Sequence, residues 1–363
     1  MILYTEKHNI MNIEITAFDT VFFKDGKPFT MGEDTWASGI FPPPPSVFYG
    51  MIRTAYAAQN NISLADIVEK TKELKISSIL LKYDDKGENH LLFPYPADLF
   101  QSKKEEEKKE EAITLMKLKA NNITSNISAE KYPYVLSPET NIKVEDNFDK
   151  AFLDKDSFEQ VYLQAKDDAI YIKKNSDIIE IESKIGISKN IYSNQTDEGK
   201  LYRVGMIRPK VKFLIEFSNI ELKSEGYLKI GAESKAAHYR AISKNDIKLP
   251  EIKNEFLKIY LATPAVFKNG SVPEFISNGH YDGIDFKLLT MAIGKPKFIG
   301  GFDMKANKPK PMKKAVPAGS VYYLKSNKAK ELAKKLHCKS ISEVNPEQGF
   351  GICYCGTFNI DTI

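Results

Sequence analysis

Four consecutive prolines, Pro42 to Pro45, stand directly before an apolar stretch in GIFPPPPSVFYGMIRTAY (39–56), and no other segment restricts the backbone as tightly. Each proline holds φ near one value, lacks an N–H and pushes its predecessor out of the α region. Phe41 to Pro45 is therefore expected to be a stiff, extended polyproline rod that neither a helix nor a central strand can run through. Ser46 is placed to cap the helix that follows. On that helix Phe48, Met51, Ile52 and Ala55 make an apolar face, and Ser46, Gly50, Thr54 and Ala57 make a stripe of small residues beside it. Glycine costs a helix roughly 1 kcal/mol relative to alanine, so Gly50 suggests close approach by a sheet or by a ligand phosphate. Tight helix–sheet packing is the plainer of the two.

Around the rod the pattern alternates between strand and helix. NIEITAFDTVFF (12–23) alternates apolar and polar residues, the helix follows, and KISSILLKY (75–83) and HLLFPYPADLF (90–100) read as two further strands. The order β, α, β, β opens a ferredoxin-like domain, whose open sheet face is an RNA-recognition surface in many proteins. From about 101 to 160 a Glu/Lys run, an Asn-rich stretch and scattered prolines read as an exposed insertion. KVKFLIEFSNIEL (210–222) and EFLKIYLATPAVF (255–267) read as strands, SNKAKELAKKLH (326–337) as a short basic helix, and a second domain of the same kind follows from them.

A chain of 363 residues accommodates about two domains. No apolar run approaches the ~18 residues of a membrane span, and the N-terminus has no leader pattern, so a cytoplasmic protein is expected. Three cysteines, Cys338, Cys353 and Cys355, fit a reducing compartment. With His337 they count as four possible ligands, but they lack the loop of a zinc knuckle; buried thiols and no metal are expected. No G-x-x-x-x-G-K-[ST] occurs, and no nucleotide cofactor is expected.

The net charge of +4 is mild, but its distribution is uneven. Acidic residues concentrate at 103–112 and 139–182, whereas 183–270 and 295–340 are lysine-rich. Of 52 basic residues only four are arginine, namely Arg53, Arg203, Arg208 and Arg240. These are candidates for forked contacts to phosphate, with structural salt bridges as the alternative. Gly300, Gly301, Gly319, Gly349, Gly351 and Gly356 lie in the lysine-rich C-terminal third, where backbone N–H groups beside lysines suit an anion, or where glycines simply serve bulges and turns. GAESKAAHYRA (231–241) offers Lys235, His238, Tyr239 and Arg240; DTVFFKDGKPF (19–29) offers Phe22, Phe23, Lys24 and Lys27, although alternation sends one of the two phenylalanines to the core.

Taken in order and spacing, FDTVFFKDGKPF (18–29), PPPSVFYGMIRTAY (43–56), KIGISKN (184–190) with EGKLYRV (198–204), and GFGICYCGTF (349–358) resemble the third-subunit family of the Cmr complex, the type III-B CRISPR effector, within the RAMP superfamily. The resemblance implies an α+β chain of two ferredoxin-like (RRM-like) domains, about 11–220 and 221–363, with the exposed insertion and a thumb-like hairpin at about 184–204. It implies a non-catalytic subunit that binds the 5′ repeat-derived tag of the crRNA and contacts the large polymerase-like subunit and a backbone RAMP subunit. Ser46, Gly50 and Arg53 match the family's first helix, and Gly349 and Gly351 match its C-terminal glycine-rich loop. Lys189 stands in the hairpin where many relatives carry arginine. The RNA-binding set expected on both grounds is Phe23, Lys24, Ser46, Gly50, Arg53, Lys189, Arg203, Lys235, His238, Arg240, Gly300, Gly301, Gly349 and Gly351.

Two other readings stand beside it. The same superfamily includes metal-independent endoribonucleases that process precursor crRNA, and His238 with Tyr239 and Lys235 offers the residue types such cleavage needs. The modest net charge also suits an interaction protein with no RNA contact of its own.

Overall fold

The computed structural model describes residues 9–24, 36–102, 113–115, 117–120, 132–137, 144–145, 150–189, 196–303 and 308–360. The first strand, β1 (Ile10–Ala17), keeps the alternation of its sequence: Ile13 and Ile15 are buried under helix α1 (Pro45–Gln59), and Glu14 points to the opposite face. Pro44 has the extended conformation of the expected rod, with φ −61° and ψ 149°. It also serves as the N-cap position, so Ser46 sits inside the first turn and makes no side-chain cap. The Phe41–Pro42 peptide bond is cis.

Behind the helix come β3 (Lys75–Asp85) and β4 (Glu88–Pro94), preceded in the chain by the short β2 (Trp36–Ser38). Then follow β5 (Ala151–Asp154), β6 (Ile172–Lys174), β7 (Ile179–Lys189), β8 (Thr196–Pro209), β9 (Val211–Ser218), β10 (Glu225–Ile230) and β11 (Lys235–Ala241). Eight of these form one antiparallel sheet in the order β6-β5-β4-β3-β9-β1-β11-β10. Strands β1 and β3 run parallel with β9 between them, the split β-α-β arrangement in which α1 crosses over one face.

A second, five-stranded antiparallel sheet contains β12 (Phe256–Leu261), β13 (Lys287–Ala292), β14 (Val321–Lys325), β15 (Lys339–Ser340) and β16 (Ile352–Gly356), in the order β13-β14-β12-β16-β15. Helix α2 (Ala329–Leu336) packs on it through Leu332, Ala333 and Leu336. The chain thus has mostly antiparallel sheets and few helices, as expected of an α+β protein.

The three largest hydrophobic clusters among the described residues follow from the alternation of side chains across each strand. One lies between α1 and the large sheet, around Ile13, Phe48, Phe213 and Tyr239. A second joins the two sheets through Leu80, Phe93, Phe158, Tyr260, Tyr323 and Tyr354. The third lies under α2, where Leu257, Ile259, Tyr322, Cys353 and Cys355 face away from the first sheet. Cys353 and Cys355 are the buried thiols expected, whereas Cys338 is exposed.

The topology differs from the sequence reading in three places. Much of 101–160 lies outside the described residues, but the segment is not exposed to its end: β5 joins the large sheet, and the π turn Ser157–Tyr162 puts Phe158 in the core stacked on Phe93, with ring centroids 4.1 Å apart. Strand β11 pairs with β1 and β10 pairs with β11, so a boundary at 220/221 falls inside the first sheet. The hairpin expected over 184–204 is longer, because β7 and β8 pair from Ile179↔Pro209 outward through Ile187↔Leu201 to Lys189↔Thr196, and β2 lies parallel to β8.

Candidate nucleic-acid interface

The proline rod forms one wall of a cavity of about 530 Å³. Its floor is Phe48, Leu81 and Ile207, on the α1 side of the large sheet; Ile181 from the hairpin base closes one end. The opposite wall comes from the second sheet's loops, where Lys297–Ile299 pairs antiparallel with Lys313–Ala315. Phe298 and Met312 on this two-stranded strap are about half exposed, as is Ile181. The strap and its flanks carry Lys295, Lys310, Lys313 and Lys314 among the described residues, so the apolar cleft lies beside a cluster of positive charge. Among the described residues Lys295, Lys310, Lys313 and Lys314 form no ion pair. A cleft of this kind suits a chain that carries flat apolar groups and regularly spaced anions.

The residues expected to bind RNA do not converge on one point. Gly300 and Gly301 follow the strap directly, and Gly301 O accepts a hydrogen bond from Lys310 N at 2.9 Å. Ser46 lies at the rod end of α1 and Arg203 is exposed on β8, in register with Trp36. Lys24 is exposed beside the same hairpin, its backbone bridged to Gly39. For Lys189 the backbone pairing is described, and its side chain lies outside the described residues.

Arg53 is half-buried farther along α1. Its Nε donates to Thr71 Oγ1 at 2.7 Å, its guanidinium lies 5.5 Å from the centre of the Tyr49 ring, and its buried Nη2 has no hydrogen-bond partner among the described residues. Gly50 is exposed, and a Cβ there would meet nothing within 4 Å among the described residues, so the large sheet does not make the close approach expected of it.

Other members of the set are structural in this fold. Phe23 is 3% exposed and packs in the first core, leaving no ring face for a base. Gly349 and Gly351 are buried with φ of +89° and +69°. A Cβ at Gly351 would stand 2.5 Å from Ser342 N, and one at Gly349 would meet Ile76 Cγ2 at 2.9 Å, so close packing rather than an anion cradle accounts for both. Lys235 pairs with Asp19 at 3.2 Å, which also accepts from Arg208; Arg208 in turn bonds Glu182 on β7 and ties the hairpin to the large sheet.

His238 and Arg240 lie on the other face of the large sheet from α1. Two nitrogens of Arg240 reach Glu14 Oε1 at 3.0 and 2.8 Å. Lys82 binds the other carboxylate oxygen at 2.8 Å and Lys212 stands 3.5 Å away. Burial pushes the Glu14 carboxyl pKa up, but the Lys82 hydrogen bond and the charges of Lys212, Lys82 and Arg240 outweigh it, and the result lies below the ordinary value. Tyr239 faces the core, where its hydroxyl bonds Gln59 at 2.5 Å. The alternation of β11 therefore places His238 on the face opposite both Tyr239 and Lys235. Among the described residues no group of three or more His, Cys, Asp or Glu side chains is placed to hold a metal ion, and no helix is long and apolar enough to cross a membrane.

Sequence reasoning missed the aliphatic and aromatic lining of the cleft, notably Ile181, Phe298 and Met312. It also missed Phe18 and Tyr227 on the far face of the sheet. The signal available for Phe298 was its position between Lys297 and the Gly300–Gly301 pair.

Comparison with known proteins agrees with the motif order. No curated protein matches the sequence. In fold the chain is similar to a chain of the type III-B Cmr-beta complex bound to cognate target RNA, solved by cryo-EM, at 17% identity over 89% of each chain with a TM-score of 0.49. It is similar to a chain of the same complex bound to cognate target RNA and AMPPnP, state 1, at 16% identity over 86% of each chain with a TM-score of 0.48. The family model of the CRISPR-associated protein Cas_Cmr3 matches residues 13–358. The chain belongs to the Cas_Cmr3 family, the Cmr third-subunit family whose motifs it carries in order.

Proposed function

We propose that the protein is a non-catalytic subunit of a type III-B CRISPR RNA-guided effector that holds the 5′ repeat-derived tag of the crRNA in the cleft between the proline rod and the lysine-rich strap. The observation that carries this reading is the cleft itself, an apolar floor with Phe298 and Met312 at its rim and Lys295, Lys310, Lys313 and Lys314 on and beside the strap. Single-stranded RNA is held in this way, by ring and apolar contacts to splayed bases and by cations along the phosphates. Both sheets support a ferredoxin-like reading: β11-β1-β9-β3 and β16-β12-β14-β13 follow the same order of fourth, first, third and second strand. In that reading the β7–β8 hairpin is the thumb, and the exposed α1 surface around Gly50 is where the large polymerase-like subunit or a backbone subunit docks. Its place is the cytoplasm, with no cofactor.

Incubating the protein with labelled tag RNA in EDTA tests the proposal. The expected result is a salt-sensitive complex with intact RNA, weakened by Phe298→Ala. Cleaved RNA would favour the endoribonuclease reading, and no complex would favour a purely structural subunit.

A further inference from the structure

The half of the large sheet that is not covered by the second sheet presents a ring-bearing face. Strands β1, β11 and β10 turn Ile13, Ile15, Ala237, Tyr239, Leu228 and Ile230 toward α1. The residues between them must therefore face outward. Tyr227 and His238 are direct cross-strand partners, and His238 is in turn opposite Thr16. Phe18, just past the end of β1, completes a trio with ring centroids 5.9 Å (Phe18–Tyr227) and 5.6 Å (Tyr227–His238) apart. Phe18 is 59% and Tyr227 71% exposed, high values for large rings.

The rings are inclined to one another by 43° and 59° rather than stacked, so their faces remain open to a third partner. Beside them lies the Glu14 cluster. Its three cations, Lys82, Lys212 and Arg240, surround a single carboxylate that is itself only 3% exposed, which leaves two positive charges in excess next to the trio. Lys229 adds a cation on the outer strand, while Glu225 opposes Arg240 and Glu216 bonds Ser77, so the surplus is concentrated around Lys82 and Lys212. The neighbouring outward positions are Thr16 and Ala236; the patch has no aliphatic floor like that of the cleft.

We propose that this face is a second binding site, separate from the cleft, for a short single-stranded RNA segment whose bases stack on Phe18, Tyr227 and His238 while its phosphates run toward Lys212 and Lys82. Open rings without aliphatic surroundings fit nucleobases better than the apolar side chains of a protein, and a positive surplus fits phosphates. The site lies on the opposite side of the sheet from α1 and the cleft, so the two can be occupied by different RNA segments and stand or fall independently.

The test uses the full chain and a fluorescein-labelled oligouridylate, first alone and then with the cleft filled by unlabelled tag RNA. Phe18→Ala/Tyr227→Ala should weaken oligouridylate binding by about tenfold or more, whereas Tyr227→Phe should retain it. Phe298→Ala should leave this second binding event unchanged even if it abolishes tag binding. Ultraviolet crosslinking should attach uridine to the peptide carrying Tyr227. Unchanged affinity in the double variant, or crosslinks confined to the strap, overturns the proposal. So does a polyglutamate peptide that binds more tightly than the oligonucleotide and is lost with the same rings, because the face would then be a protein-docking surface.

Discussion

The Nζ of Lys258 lies 3.5 Å from the centre of the Tyr162 ring, and among the described residues no hydrogen-bond acceptor reaches it. Both side chains are almost fully buried between the two sheets. Position 258 faces the first sheet because β12 alternates, with Leu257 and Ile259 directed to α2. The nearby Asp98 carboxylate is committed elsewhere, accepting the Tyr162 hydroxyl at 2.9 and 3.0 Å and that of Tyr323 as well. Burial drives the Lys258 pKa down to about 8, against the opposing pull of Asp98.

Stability should therefore rise with pH above neutrality. The folded pKa of Lys258 is below the unfolded value of 10.5, so between pH 8 and 10.5 the unfolded chain binds more protons and raising the pH favours the fold. Lys258→Met should remove that rise and stabilise the protein at pH 7 by about 1–3 kcal/mol. Urea denaturation of both proteins at pH 7 and pH 10 measures it, and parallel behaviour of the two would refute the assignment.

Glu14 acts in the opposite pH range. Its folded pKa is lowered, so its contribution is complete above the ordinary carboxylate range and is lost as pH falls through the folded value. Glu14→Gln should leave Lys82, Lys212 and Arg240 facing one another and lower stability at pH 7 by about 3 kcal/mol. Acid titration of the variant, followed by circular dichroism, should lack the corresponding step.

Two glycines should respond with opposite sign. Alanine at Gly50 meets open space in an exposed helix and should stabilise by about 0.5–1 kcal/mol, with a higher Tm. Alanine at Gly351 combines a φ of +69° with a Cβ 2.5 Å from Ser342 N, and should destabilise by about 2 kcal/mol or more.

Arg53→Ala separates structural from RNA-binding roles. Loss of the Thr71 hydrogen bond and the Tyr49 contact should reduce stability by about 1–2 kcal/mol without unfolding. If Nη2 also serves a phosphate, the salt dependence of tag binding falls by about one unit of slope. An unchanged slope assigns Arg53 to the fold alone.

Local patterns were legible where they report local geometry. The proline run announced the extended entry into α1, and the spacing of Phe48, Met51, Ile52 and Ala55 its buried face. The alternation in β1, β9 and β12 located strands, because φ restriction and a side-chain period of two act within a few residues. Which glycine is crowded, which cation is paired and which faces are covered were decided by the tertiary structure. Gly50 and Gly351 read alike in sequence, yet one meets open space and the other the backbone of Ser342. Arg240 is held by Glu14, and Phe18 meets Tyr227, only because β10 and β11 return across the chain to pair beside β1. Strand alternation states that two faces exist, but what covers each is set by long-range pairing and by the packing of one sheet on the other.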